Sequence, residues 1–296
     1  MGRNVGIVVV TYNRLQLLTE VIDALRKQSY NDYQIVVVNN GSTDGTEKWL
    51  SQQRDIITIT QENLGGAGGF FTGMKYVAEH GYEYCWIMDD DVLCMEDSLF
   101  QLLSVYDKDI KAGFVCSKVI GEDGSSMNVP IVDLREDSNG YPQWYDKSDL
   151  GLIRVKKATF VSVLFPCSII KDFGLPYKEY FIWGDDWEYT QRISEKMTCY
   201  MSIRSKVIHR RKIQKRIIFE QEKDIVRINN YYYAFRNNNY NSVKYKEKSK
   251  VYVICSLLFH AFKSAVNMKF LHSKIYFKSL KAFLVFAPRI EYPSDK

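Results

Sequence analysis

The chain has 296 residues, 46% of them hydrophobic and 25% charged, with a formal net charge of +5. This describes an ordinary globular protein able to bury a sizeable core, as one large domain or one domain with an appendage, and excludes a disordered or fibrous chain. The charge is uneven: residues 206–281 are rich in Lys and Arg while the acidic clusters lie earlier, which points to an anionic partner for the C-terminal part, a membrane surface or a phosphorylated substrate, and not to nucleic acid.

Residues 5–10 form a short β-branched apolar run, the pattern of a strand buried on both faces of a parallel sheet. Met1 and Asn4 precede it without a signal peptide. Thr11-Tyr12-Asn13-Arg14 then turns into a helix over 15–28, with Leu18, Ile22 and Leu25 at helical spacing. A strand over 34–38 ends in the polar run from Asn39 to Thr46, and a helix follows over 47–53. This order is a βαβ unit, whose ligands sit beyond the carboxyl ends of the strands.

After a strand over 56–60, Asn63-Leu64-Gly65-Gly66-Ala67-Gly68-Gly69-Phe70 precedes a helix expected over 71–80. Such glycines let backbone approach a ligand and leave amides free for an anion, or serve tight helix–strand packing; no Gly-Lys-Ser/Thr of a Walker loop follows. A fourth strand over 84–88, seated by Trp86 and Met88, delivers Asp89-Asp90-Asp91 to the same edge. Three adjacent Asp repel one another and have poor strand propensity, so packing does not need them. Oxygen ligands of this kind suit Mg²⁺ or Mn²⁺ holding substrate phosphates; the alternative is a solvated turn capping the next helix.

A helix over 96–106 and a strand over 113–119 come next, then a polar, turn-rich loop or lid over 121–149. A strand over 159–165 and a short helix ending near Gly174 lead to Trp183-Gly184-Asp185-Asp186-Trp187-Glu188-Tyr189, a second acidic centre that is either catalytic or a helix N-terminus with capping acids. His209 ends a further strand, where an isolated His is more often structural. Residues 219–239 are helical and rich in Tyr and Asn, lining a sugar groove or, as aromatic stripes usually do, a core. Residues 251–268 and 275–286 are apolar helices interrupted by Lys, too short and too charged to span a membrane. They suit either peripheral membrane contact through 251–286 or a helical pair packed on the catalytic domain or another subunit, so an oligomer stays open. The six Cys, without CxxC pairing, read as reduced, buried thiols of a cytoplasmic protein and exclude a disulfide framework or zinc site.

VVVTYNR, VVNNGSTDGT, NLGGAGGF, WIMDDDV and WGDDWEY, in this order over about the first 210 residues, resemble glycosyltransferase family 2, the inverting nucleotide-sugar transferases. Within it they look most like bacterial galactofuranosyltransferases and rhamnosyltransferases. The resemblance implies a GT-A fold, a Rossmann-like α/β mixed sheet flanked by helices over 1–215, with a helical extension over 216–296. It implies donor binding by Thr11, Asn13, Arg14, Asn39, Gly41, Ser42, Asn63, Gly65, Gly66, Gly69, Asp89 and Asp90, and Mn²⁺ or Mg²⁺ on Asp89, Asp91 and His209. Asp186 would be the base, supported by Asp185 and Glu188, with Trp183 stacked on a sugar. The expected partners are a UDP- or dTDP-sugar and a glycan or lipid-linked acceptor, at the cytoplasmic face of the plasma membrane. Asn39 stands where the family usually has Asp; its amide offers a donor and an acceptor to uracil or thymine. Two other classes compete: a nucleotidyltransferase, which lacks its Gly- and Lys/Arg-rich loop here, and a non-catalytic sugar- or membrane-binding module, which has no need of two acidic centres.

Overall fold

The structure is a computed structural model that describes residues 4–108, 110–211 and 218–294. The expected boundary at 215/216 lies outside the described residues, as do Met1 to Arg3. The chain divides into two compact units: residues 1–178, 186–214 and 290–296 form the first, and residues 179–185 and 215–289 the second.

In the first unit the strands are β1 (Val5–Thr11), β2 (Tyr33–Asn39), β3 (Ile56–Thr60), β4 (Tyr84–Asp89), β5 (Val92–Cys94), β6 (Val115–Ile120), β7 (Ile131–Val132), β8 (Leu152–Lys157), β9 (Val163–Pro166) and β10 (Tyr200–His209). Its helices are α1 (Leu15–Leu25), α2 (Thr46–Leu50), α3 (Gly65–Glu79), α4 (Ser98–Tyr106), α5 (Cys167–Phe173) and α6 (Asp185–Ser194), whose first residue belongs to the second unit. The strands lie in the order β3-β2-β1-β4-β9-β6-β10-β8-β7, with β5 beside β10. β1, β2, β3 and β4 run parallel, while β9 is antiparallel to both β4 and β6, so the sheet is mixed as expected.

Alternation along β1 shows why the run is apolar throughout. Val5, Ile7 and Val9 join Leu18, Ile22 and Leu25 of α1 in one core, while Val8 and Val10 join Phe70, Met74 and Val77 of α3 in the other. The helices thus cover both faces of the sheet.

The glycine-rich stretch departs from expectation. It is not a loop ahead of the helix but the first turns of α3, which starts at Gly65. A Cβ on Gly69 would lie 2.3 Å from Val10 Cγ1, and one on Gly73 2.3 Å from Val8 Cγ1. Close approach of α3 to β1 therefore overrides the poor helix propensity of glycine, the packing alternative in the sequence. Three strands were not anticipated: β5, only three residues long, β7, two residues within the polar segment, and β8, which emerges from the end of that segment. The strand expected over 159–165 starts at Val163. Five Cys are buried as expected, but Cys255 is exposed.

The second unit holds α7 (Ile225–Lys244), α8 (Lys250–Val266) and α9 (Phe270–Val285). Ile228, Val253, Leu257, Ala261, Ile275 and Phe283 form its core, with Tyr231 and Phe235 packed against it. The aromatic stripe of α7 is thus core on this side. Among the described residues no helix is long and apolar enough to cross a membrane.

Candidate active site

Register brings the polar loops together. Thr11 pairs with Asn39, Asn39 with Thr60, and Val10 with Asp89, so β1 to β4 all end at one edge. Side chains then tie the loops to one another. The Asn13 amide donates to Ser42 Oγ at 2.9 Å, and the Thr43 amide donates to Asn13 Oδ1 at 2.6 Å. Asn63 Oδ1 accepts from the Gly65 amide at 3.0 Å, opening α3. Asn40, not singled out in the sequence, donates to the Gly65 carbonyl at 2.9 Å and accepts from Gln61 at 2.7 Å. A Cβ on Gly41, at φ +71°, would meet the Gln61 carbonyl at 3.1 Å, whereas Gly66 faces open space. Gly69 is turned onto Val10.

Asn39 is fully buried, and its Oδ1 accepts from the Ser42 amide at 3.0 Å. Its Nδ2 has no hydrogen-bond partner. A buried unpaired donor costs about 1–3 kcal/mol, so this amide is set to meet an acceptor; Oδ1 is already engaged within the chain.

The three Asp at the end of β4 are not equivalent. Asp90 is buried, accepting from Thr11 Oγ1 at 2.7 Å on one oxygen and from Arg14 Nη1 at 3.0 Å on the other. Burial nevertheless pushes its carboxyl up to about 6, against the opposing pull of Arg14 and Thr11. Thr11, Arg14 and Asp90, all expected to bind donor, are thus joined to one another first. Arg14 Nη1 also reaches Asp91 Oδ2 at 2.8 Å. Loss of surrounding water, then the charges of Asp91 and Asp90, raise the Asp89 carboxyl well above the usual range; Arg14 opposes this and Asp186 adds to it. That last effect puts the second acidic centre within electrostatic reach of the first.

β5 explains how His209 arrives. Directly after the triplet, Val92 pairs with His209 across antiparallel β5 and β10, and the Arg210 amide donates to the Asp91 carbonyl at 2.8 Å. One ligand atom each from Asp89, Asp91 and His209 lies within 4.8 Å of the others. His209 Nδ1 lies 2.8 Å from Asn128 Oδ1, so in the neutral ring Nδ1–H donates there and the Nε2 lone pair faces Asp91 Oδ1, 3.1 Å away. That contact lacks hydrogen-bond geometry, and Asp91 Oδ1 is a buried oxygen without a hydrogen-bond partner. Burial works to raise the Asp91 carboxyl, but with the ring protonated instead, hydrogen bonding to and charge from His209, together with Arg14, outweigh it and hold it below the usual range; with the ring neutral, two lone pairs face each other there. Two lone pairs converging on one point, among carboxylates that repel, fit a divalent cation, and carboxylate with imidazole suits Mn²⁺ well.

Asn128 carried no sequence signal. It sits in the expected loop or lid, where the chain folds back after β6: Ile120 bridges Ser126 and the Met127 amide donates to the Val119 carbonyl at 3.2 Å.

At the second centre, Asp186 lies in the first turn of α6, half-buried, and its Oδ1 accepts from the Trp187 amide at 2.7 Å. Asp185 is buried at the head of the same helix. Glu188 does not stand beside Asp186: two residues on, it lies about 200° round the helix. It is fully buried and ion-paired with Arg192, which donates from Nε at 3.1 Å and from Nη1 to the Phe173 and Leu175 carbonyls at 3.1 and 3.0 Å. Glu188, expected to support or orient the base, is thus tied to Arg192 within α6.

Within the second unit, Trp183 has a left-handed backbone, φ 64°, as do Phe181 and Gly184. This is unfavourable for bulky side chains and is held by α7. Asn237 Nδ2 donates to the Tyr180, Ile182 and Trp183 carbonyls at 3.0, 3.2 and 2.8 Å, and Asn241 Nδ2 to the Gly184 carbonyl at 2.9 Å. The Tyr- and Asn-rich stretch therefore includes a backbone clamp.

The model of the family described as glycosyl transferase family 2 matches residues 6–158, more than half of the chain. The chain belongs to glycosyl transferase family 2. It is 27% identical over 198 residues to galactofuranosyltransferase GlfT1 of Mycobacterium tuberculosis (strain H37Rv), a match that covers 65% of this chain and 65% of the relative's length. It is 30% identical over 120 residues to glycosyltransferase GlyG of Streptococcus pneumoniae serotype 4, covering 38% of this chain and 39% of GlyG. The crystal structure of TarS from S. aureus superposes with a TM-score of 0.57 at 14% identity, over 95% of this chain and 45% of TarS. That likeness bears on fold and agrees with the expected GT-A architecture.

Proposed function

We propose that the chain is a metal-dependent inverting glycosyltransferase that moves a sugar, with galactofuranose from UDP-galactofuranose as the first reading, to a hydroxyl of a polysaccharide or lipid-linked glycan. The observation that carries the reading is the Asp89, Asp91 and His209 donor set with its unpartnered Asp91 Oδ1. The name of the GlfT1 relative supports the choice of sugar.

Bound on those three residues, Mn²⁺ or Mg²⁺ would take up negative charge of the donor diphosphate. Asp186 takes the proton of the acceptor hydroxyl as its oxygen bonds to the anomeric carbon from the face opposite the leaving group. The bond from that carbon to the diphosphate oxygen breaks in the same displacement, which inverts the centre. The partial exposure of Asp186 lets a hydroxyl reach it. Asp185 supports the head of α6, Glu188 holds that helix through Arg192, and Trp183 stacks on a sugar face. Thr11, Asn13, Arg14, Asn39, Gly41 and Ser42 serve the nucleoside end of the donor; Asn63, Gly65, Gly66, Gly69, Asp89 and Asp90 complete its site. Residues 1–215 act as the transferase domain, in the cytoplasm, with 216–296 as its helical appendage.

A dTDP-rhamnose transferase is the second reading, because the unpaired Asn39 Nδ2 suits a base carbonyl, and uracil and thymine both present one. A thermal-shift series with Mn²⁺ and UDP-galactofuranose, other UDP-sugars or dTDP-rhamnose tests both, since ligands that bind the native state raise its melting temperature. The expected result is stabilisation by UDP-galactofuranose that is lost in EDTA. If neither UDP- nor dTDP-sugars stabilise the protein, the donor reading is overturned. Slow hydrolysis of the bound donor separates an enzyme from a sugar-binding module.

A further inference from the structure

The second unit carries a face that its own core does not explain. On α8, Val253, Leu257 and Ala261 point into the core of that unit. The opposite side is apolar too: Tyr252, Phe259, Phe262 and Val266 are 56%, 62%, 60% and 83% exposed, at spacings that keep them on one stripe. A helix that is apolar all round is ordinarily covered all round. On α9, Phe270, Lys274, Phe277, Lys281 and Leu284 form a second exposed stripe at alternating spacings of four and three. The rings of Phe262 and Phe277 meet edge-on with centroids 5.7 Å apart, so the two stripes make one continuous patch.

Charge selects the occupant. From residue 248 to 290 the sequence has seven Lys, one Arg and no Asp or Glu. Two copies meeting through this face would set lysines against lysines with no acid to pair them, which disfavours a dimer. A surface that is negatively charged outside and apolar just beneath satisfies both halves of the patch: aromatic and aliphatic side chains enter the acyl boundary while lysines extend to the headgroup phosphates. We propose that α8 and α9 form a peripheral docking surface for an anionic lipid bilayer, entered by Phe259, Phe262 and Phe277 and held by Lys274 and Lys281.

The test is co-sedimentation of the full chain with vesicles of phosphatidylcholine alone and of phosphatidylcholine mixed with phosphatidylglycerol. It requires no turnover, so its outcome is independent of the catalytic reading. The chain is expected to pellet with the mixed vesicles and to remain largely in solution with the neutral ones. A Phe259→Asp/Phe262→Asp variant, altered only at exposed positions, should bind about a hundredfold or more weaker. A Lys274→Ala/Lys281→Ala variant, which leaves every apolar side chain in place, should bind about thirtyfold weaker. Failure to pellet with the mixed vesicles overturns the proposal, as does equal binding to neutral vesicles with no effect of the lysine changes. A vesicle-independent dimer that the Phe variant converts to monomer assigns the face to a second copy and overturns it as well.

Discussion

The two acidic centres divide their labour in the same way. In Asp89-Asp90-Asp91 the middle residue is committed to the fold, with both oxygens taken by Thr11 and Arg14, while its neighbours present oxygens toward His209 and solvent. In Asp185-Asp186-Trp187-Glu188 the last acid is committed instead, buried against Arg192, and Asp186 keeps partial exposure. Each cluster thus holds a carboxylate that anchors the backbone and another that the anchor leaves available. Adjacent acids in a sequence look interchangeable; strand alternation and helix rotation are what separate them.

The strongest way to break this comparison is to neutralise an anchor and a presented acid in the same helix. Asp186→Asn should fold normally, bind donor with unchanged thermal shift, and lose about 10³-fold in kcat. Unchanged turnover would remove Asp186 from the base role. Glu188→Gln should do the reverse. It leaves the Arg192 guanidinium buried without its carboxylate, and breaking such a pair costs about 3–5 kcal/mol. Urea unfolding should show that loss, with the activity of the remaining folded molecules falling far less than in Asp186→Asn.

Much of this was legible in the sequence, and the exceptions share a cause. The apolar runs of β1, β2 and β4 are buried on both faces and end in polar loops, so local pattern was enough to put Thr11, Asn39 and Asp89 at one edge. β5 was invisible because three residues carry no periodicity; it exists through pairing with the end of β10, more than a hundred residues away. The position of His209 beside Asp91 depends on that pairing, so only family resemblance suggested it. The start of α3 was misread because packing of Gly69 and Gly73 on β1 outweighs glycine's intrinsic cost in a helix. Asn128 had no signal, since its role rests on a chain reversal within a polar segment.

Asn128 offers the next, smaller perturbation. Its bond to Nδ1 fixes the ring orientation and tautomer of His209. Because Asn128 has a left-handed backbone, φ 48°, the variant to use is Asn128→Gly, which should weaken Mn²⁺ binding about 10- to 100-fold, the usual cost of losing such a partner, with little change in the melting temperature of the protein in EDTA. Mn²⁺ titration by calorimetry checks it, and an unchanged affinity would mean that His209 does not depend on this bond.

The smallest effect is expected where the triplet's crowding is greatest. Asp90 forms charge-assisted bonds to Thr11 and Arg14, yet its carboxyl is pushed up to about 6, so burial outweighs what those bonds return to the charged form. Replacing it by neutral, isosteric Asn keeps one oxygen to accept from Arg14 or Thr11, removes the cost of burying a charge, and leaves Arg14 its contact with Asp91. Asp90→Asn should accordingly stay within about 1 kcal/mol of the parent in urea unfolding with EDTA present. Asp91→Asn exchanges the buried carboxylate facing His209 for an amide and should lower Mn²⁺ affinity by at least about tenfold. If the two variants bind Mn²⁺ alike, the division of the triplet into anchor and ligand fails, and the three Asp must be treated as one diffuse negative cluster.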